Sequence, residues 1–126
     1  MAGKGTIRSY RDLDVWKRAM KLAELRYGVT ASFPQRETFG LASQIRRAAV
    51  SIPSNIAEGH SRRSRQAFLN HLSIALGSQA ELETQIELAS RLDLISQIPA
   101  KEILQEAEEI GRMLHGLIRS LERAGG

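Results

Sequence analysis

Apolar residues recur every three to four positions in four blocks of the chain. No two-residue alternation runs long enough to compete, so the pattern predicts helices and no strands. The first block runs from Asp12 to Ala31, with a stripe of Trp16, Ala19, Met20, Ala23 and Tyr27. Asp12 and Asp14 favour its N-terminal dipole, and Phe33-Pro34 stops it, because a residue before proline is pushed out of the helical region. The second runs from Thr38 to Glu58, with Leu41, Ile45, Ala48, Ala49, Ile52 and Ile56 in register. Pro53 lies inside this pattern, lacks an amide donor and collides with the carbonyl one turn back. Because Ile56 stays in phase with Ile52, the block reads as a single helix kinked at Pro53, with Gly59 as its left-handed stop. The third, Ser64 to Asp93, aligns Phe68, Leu72, Ala75, Leu76, Leu82, Ile86 and Ala89. The fourth opens at Pro99, a good first-turn residue, and runs to Arg123. Ile103, Ala107, Ile110, Leu114, Leu117, Ile118 and Leu121 share its face, and Gly125-Gly126 is a frayed end. The linkers Phe33–Glu37, His60–Arg63 and Leu94–Ile98 are short enough to force antiparallel neighbours. The expected fold is all-α: an antiparallel up-down-up-down four-helix bundle over residues 11–124, after a flexible tail of residues 1–10.

Two helices carry more apolar residues than one buried stripe needs. Val15, Leu22 and Val29 are spaced by seven with Leu25 beside them, while Ile74, Leu88, Leu92 and Ile95 lie off the core face of the third helix, with Gly77 among them. These are either scattered surface hydrophobes or subunit interfaces. The second reading makes Val15, Leu22, Leu25, Val29, Ile74, Gly77, Leu88 and Leu92 contacts between copies. Helix four, by contrast, is polar on its outer side.

Composition narrows the function classes. The 126 residues suit one domain, and 42% hydrophobic with 25% charged is globular composition. With no cysteine, disulfide scaffolds, thiolate zinc sites and cysteine nucleophiles are excluded. No stretch approaches the ~18 apolar residues of a membrane span, and the polar start Met1-Ala2-Gly3-Lys4-Gly5 is unlike a signal peptide. A soluble, cytoplasmic protein with no membrane partner is expected. His60, His71 and His115 fall in different blocks, and the Glu-x-x-His motif of di-iron bundles is absent. Glu83 and Glu87, beside Glu81, read as an acidic face. Without a phosphate loop, a nucleophile elbow or a metal-ligand pattern, the sequence predicts no enzyme, no metal and no cofactor.

Charge is more informative than the net +4. Residues 1–66 hold 13 Lys and Arg against 5 Asp and Glu, and residues 67–126 hold 5 against 9. Such asymmetry points to nucleic acid or to self-association. The candidate phosphate-binding residues are Lys17, Arg18 and Lys21 on helix one, Arg46 and Arg47 on helix two, and Arg62, Arg63 and Arg65 around the next turn. Arginine forks fit phosphate oxygens. The competing reading is a solvated basic face paired with acids of helices three and four. Few aromatics are free to stack on bases, so any recognition is led by backbone and shape, with steep salt dependence.

The segment Gln44-Ile45-Arg46-Arg47-Ala48-Ala49-Val50-Ser51-Ile52-Pro53-Ser54-Asn55-Ile56-Ala57-Glu58-Gly59 resembles a known family. So do Leu13-Asp14-Val15-Trp16, Phe33-Pro34 and Ala75-Leu76-Gly77-Ser78-Gln79-Ala80-Glu81-Leu82-Glu83. From Tyr10 to Leu121 the chain is similar to the four-helix bundle proteins encoded in intervening sequences of bacterial 23S ribosomal RNA genes. The resemblance implies an antiparallel bundle that assembles as a homopentamer, in a family to which no enzymatic activity is assigned. A related branch, the accessory variability protein of diversity-generating retroelements, is a basic pentamer that binds a reverse transcriptase and nucleic acid. The expected partners are therefore a second copy of the chain, RNA or DNA, or a reverse transcriptase. Arg46, Arg47, Arg62 and Arg63 match basic positions of the pattern. Pro53, Asn55, Glu58 and Gly59 have either an architectural role or a ligand role. In the architectural reading, Asn55 bonds a backbone group near the proline and Glu58 pairs with Arg46 or Arg47.

Overall fold

Ser9 caps the first short turn of the described chain. Its hydroxyl accepts from the Arg11 amide at 2.9 Å, while the Asp12 carboxylate accepts from the amides of Arg8 and Ser9 at 2.9 and 3.2 Å. This reciprocal cap fixes a short 3-10 turn, Tyr10–Asp12, and those backbone bonds hold the Asp12 carboxyl below its ordinary range. The computed structural model describes residues 7–37, without the Glu37 side chain, and 40–125. Residues 1–6 of the expected tail and Gly126 of the frayed end lie outside the described residues, whereas Ser9 and Tyr10 belong to the capped turn.

Four helices follow: α1 (Asp14–Thr30), α2 (Leu41–Ser61), α3 (Arg65–Arg91) and α4 (Gln97–Gly125). A second 3-10 turn, Gln35–Glu37, lies between α1 and α2. Helix α1 packs on α2 and α4, and α3 packs on the other sides of the same two helices. Ser51 meets Ser78 and Asn55 meets His71, so α2 and α3 run antiparallel. Gln79 bonds the Ala107 carbonyl and Arg65 the Leu121 carbonyl, so α3 and α4 do too. Thr30 near the end of α1 meets Arg46 near the start of α2, and Met20 shares a groove with Pro53 and Ser54, giving the same sense for that pair.

Ser64 caps α3, its hydroxyl accepting from the Ala67 amide at 3.2 Å. The chain leaves α2 through Arg63 and α3 through Asp93, both left-handed, with φ of 59° and 60°. Gly59 is not the left-handed stop of α2 expected from the sequence: it lies inside the helix, at a close approach to α3. A Cβ there would stand 2.6 Å from the His71 Cβ. Helix α2 runs unbroken through Pro53.

The stripes of α2, α3 and α4 are the expected ones, with Ile45, Ile52 and Ile56 of α2, Leu72, Leu82 and Ile86 of α3, and Ile103, Ile110 and Leu114 of α4 buried in one core. Helix α1 is rotated from the expected phase. Its buried residues are Val15, Ala19, Leu22, Arg26 and Thr30, while Met20 and Tyr27 are exposed. Two apolar seams compete on this helix, and an arginine and a threonine on the buried one hide it from a periodicity reading.

Candidate nucleic-acid interface

Antiparallel packing collects arginines at one end of the molecule. Arg62, Arg63 and Arg65 occupy the α2–α3 turn and are exposed. Arg65 donates to the Leu121 carbonyl at 3.3 Å, which fixes the last turns of α4, with exposed Arg119 and Arg123, beside that turn. Because α1 opposes α2, Arg8 and Arg11 just ahead of α1 belong to this end as well. Seven arginines thus gather near four carboxylates, Asp12, Asp14, Glu58 and Glu122. Two of those carboxylates are already engaged: Asp12 in its cap, and Glu58 with Arg62 at 2.9 Å. Arg11 stacks over the Tyr10 ring at 4.7 Å. Arg63, Arg119 and Arg123 form no ion pair among the described residues. This is a set of exposed forks with too few carboxylates to neutralise it, the electrostatic requirement for binding phosphates.

The remaining basic candidates are not part of it. Arg18 grips Glu106 with one Nη at 2.7 and 2.6 Å, and this hydrogen bond raises the Arg18 guanidinium above its ordinary value. Arg46 donates from Nε to the Thr30 hydroxyl at 2.8 Å and lies 5.1 Å over the Tyr27 ring, toward the opposite end. Lys17 and Lys21 stay exposed along α1. Arg47 lines a polar cleft of about 440 Å³ between α2 and α3, with Gln44, Ser51, Ser78 and Glu81. Of the eight predicted residues, only Arg62, Arg63 and Arg65 come together. Arg8, Arg11, Arg119 and Arg123 escaped the linear reading. Short linkers hold the signal for them, since an antiparallel order places the first and last helix ends beside the central turn.

The motif residues bind α2 to α3. The Asn55 amide donates to the Ser51 carbonyl at 2.9 Å and to its hydroxyl at 3.0 Å, while its oxygen lies 2.9 Å from His71 Nδ1. Ser51 and Ser78 share a 2.8 Å hydrogen bond. Glu58 pairs with Arg62, and not with the expected Arg46 or Arg47. Pro53 is buried, its ring on the wall of a groove of about 460 Å³ between α1 and α2.

The predicted subunit contacts divide. Val15 and Leu22 are core residues of the chain itself, a correction that follows from the rotated phase of α1. Leu25, Ile74, Leu88 and Leu92 are exposed, and Val29 is half-buried. Gly77 lies on α3 with open space where a Cβ would stand. The exposed seam of α1 is instead Met20 and Tyr27, which with Val50 border the α1–α2 groove. Among the described residues no cluster of three or more acids and histidines could hold a metal, and no helix is long and apolar enough to cross a membrane.

Fold and surface together define a small all-α protein of four packed helices with one arginine-rich end. The chain belongs to the 23S rRNA-intervening sequence protein family, whose model matches residues 11–116. It is also similar to a crystal structure of a protein of unknown function from the S23 ribosomal protein family of Bacteroides thetaiotaomicron. The TM-score is 0.77 and the identity 28%, covering 82% of this chain and 97% of that one. No curated protein matches the chain.

Proposed function

We propose that the protein is a non-enzymatic homo-oligomer, pentameric as its family resemblance implies, that binds structured RNA through its arginine-rich end. The observation that supports this most is the set of exposed guanidiniums of Arg63, Arg119 and Arg123, without ion pairs among the described residues and grouped with Arg8, Arg11, Arg62 and Arg65 by the antiparallel packing. The family's description names 23S rRNA through its intervening sequence, which makes RNA the polyanion to test first. Self-association is supported by two apolar faces on different sides of the chain. One is the α1–α2 groove with Met20, Tyr27 and Val50, and the other is the α3 surface of Ile74, Leu88 and Leu92. A contact between two unlike faces is head-to-tail, and repeating it closes a ring when the rotation allows. Copies in a ring share one orientation relative to its axis, so several weak phosphate sites act on one ligand. Such a role belongs in the cytoplasm, where ribosomal RNA is made.

The test is a mobility-shift titration of an RNA hairpin, with the oligomer measured by light scattering. Binding that weakens steeply with salt, by an oligomer, supports the reading. No binding at low salt would end it, and a stable monomer would remove the assembly.

A further inference from the structure

Arg26 is the one charged side chain among the described buried residues, and it is 0% exposed. It continues the core stripe of α1, one turn after Leu22 and one turn before Thr30. Its Nε and both Nη nitrogens make no hydrogen bond. Among the described residues no acceptor serves it. The Thr30 hydroxyl already donates to the Arg26 carbonyl at 2.8 Å and accepts from Arg46 at 2.8 Å. The other buried polar side chains described are Ser78, Gln79 and Gln85, with no carboxylate among them. Gln85 ends with its own carbonyl oxygen unpartnered, so it takes no hydrogen bond from Arg26.

Losing the proton does not resolve this. Burial alone pushes the Arg26 guanidinium down to about 10, which leaves it cationic at neutral pH. A guanidinium carries five N–H donors in a rigid fork and accepts nothing. Buried charges in folded proteins are paired, because an isolated one costs far more than a hydrogen bond returns.

We infer that Arg26 is an internal anion site: a small monovalent inorganic anion of chloride size is enclosed with its guanidinium inside the bundle. Small follows from the complete burial of Arg26. Monovalent follows from the single charge to be balanced. The anion enters during folding or local opening and binds the folded chain alone, so it acts as a stabilising ligand.

Thermal unfolding in sodium chloride against sodium gluconate, at matched sodium and ionic strength, tests this in the wild-type protein and in Arg26→Met. The wild type gains about 3 °C or more in chloride. Arg26→Met, which keeps every surface arginine, shows no such gain. If that variant fails to fold, Arg26→Gln takes its place. Crystals grown in bromide provide an independent readout, an anomalous peak within hydrogen-bonding range of the Arg26 nitrogens. An equal chloride response in wild type and variant overturns the inference, as do bromide crystals in which only waters or a carboxylate of the chain meet the guanidinium. Neither outcome bears on RNA binding, which uses other arginines.

Discussion

Arg26 and Arg63 are arginines in costly places for different reasons, and their substitutions separate packing from binding. Arg26 loses its hydration with no acid among the described side chains to compensate, so Arg26→Met should stabilise the fold by about 1–4 kcal/mol in low-chloride buffer, measured by denaturant unfolding. The pH dependence has a defined sign. A cation whose folded value is lowered to about 10 carries its cost at all lower pH. That cost fades as pH rises through 10, so the gap between variant and wild type closes only in alkali. Arg63 adopts a left-handed backbone without being glycine. Arg63→Gly should therefore stabilise by about 0.5–1 kcal/mol while weakening RNA binding, a pairing of effects that a purely structural residue would not give. Glu83 obeys the acid counterpart. Burial first, then Glu108 and Glu87, raise its carboxyl above the ordinary range. Glu83→Gln should stabilise at neutral pH, with the gain disappearing as pH falls through that raised value.

At the scale of the helices, three of four apolar stripes were legible as sequence, because Ile, Leu and Ala repeat at one phase in α2, α3 and α4. Helix α1 was not. Met20, Ala23 and Tyr27 form an apolar row as regular as the buried one, and Arg26 and Thr30 make the true core row look polar. Gly59 was legible as a special position but not in its role, since a left-handed stop and a close approach of two helices both favour a residue without a Cβ. The structure decides for close approach. An added methyl would meet the His71 Cβ, which no rotamer change can move, and then Phe68. Gly59→Ala should destabilise by about 1–3 kcal/mol, despite the better helix propensity of alanine, as measured by thermal or urea unfolding. A neutral or stabilised variant would refute the close-approach role.

For the whole molecule, charge is segregated along the bundle axis more than between helix pairs. A count over the two halves of the chain finds the asymmetry but misplaces it. Arg18 neutralises Glu106, Arg112 neutralises Glu109, and Arg46 is held by Thr30 and Tyr27. A separate group of exposed arginines, Arg8, Arg11, Arg62, Arg63, Arg65, Arg119 and Arg123, gathers at one end and is built from three regions far apart in sequence. The proposed assembly uses other surfaces, so it should be separable from the proposed RNA binding. Met20→Glu with Tyr27→Glu should lower the mass seen by light scattering, whereas changes at the arginine-rich end should leave it unchanged.

The proposed RNA binding by the arginine-rich end is best probed through the salt dependence of hairpin affinity. The comparison is between the wild type and a variant combining Arg63→Gln, Arg119→Gln and Arg123→Gln, with equal oligomer mass verified. Every phosphate that an arginine no longer neutralises takes roughly one from the slope of log affinity against log salt. The variant should bind more weakly at low salt, with a slope shallower by about 2–3 per protomer engaged. Unchanged affinity and slope in a correctly assembled variant would show that this end does not hold the RNA.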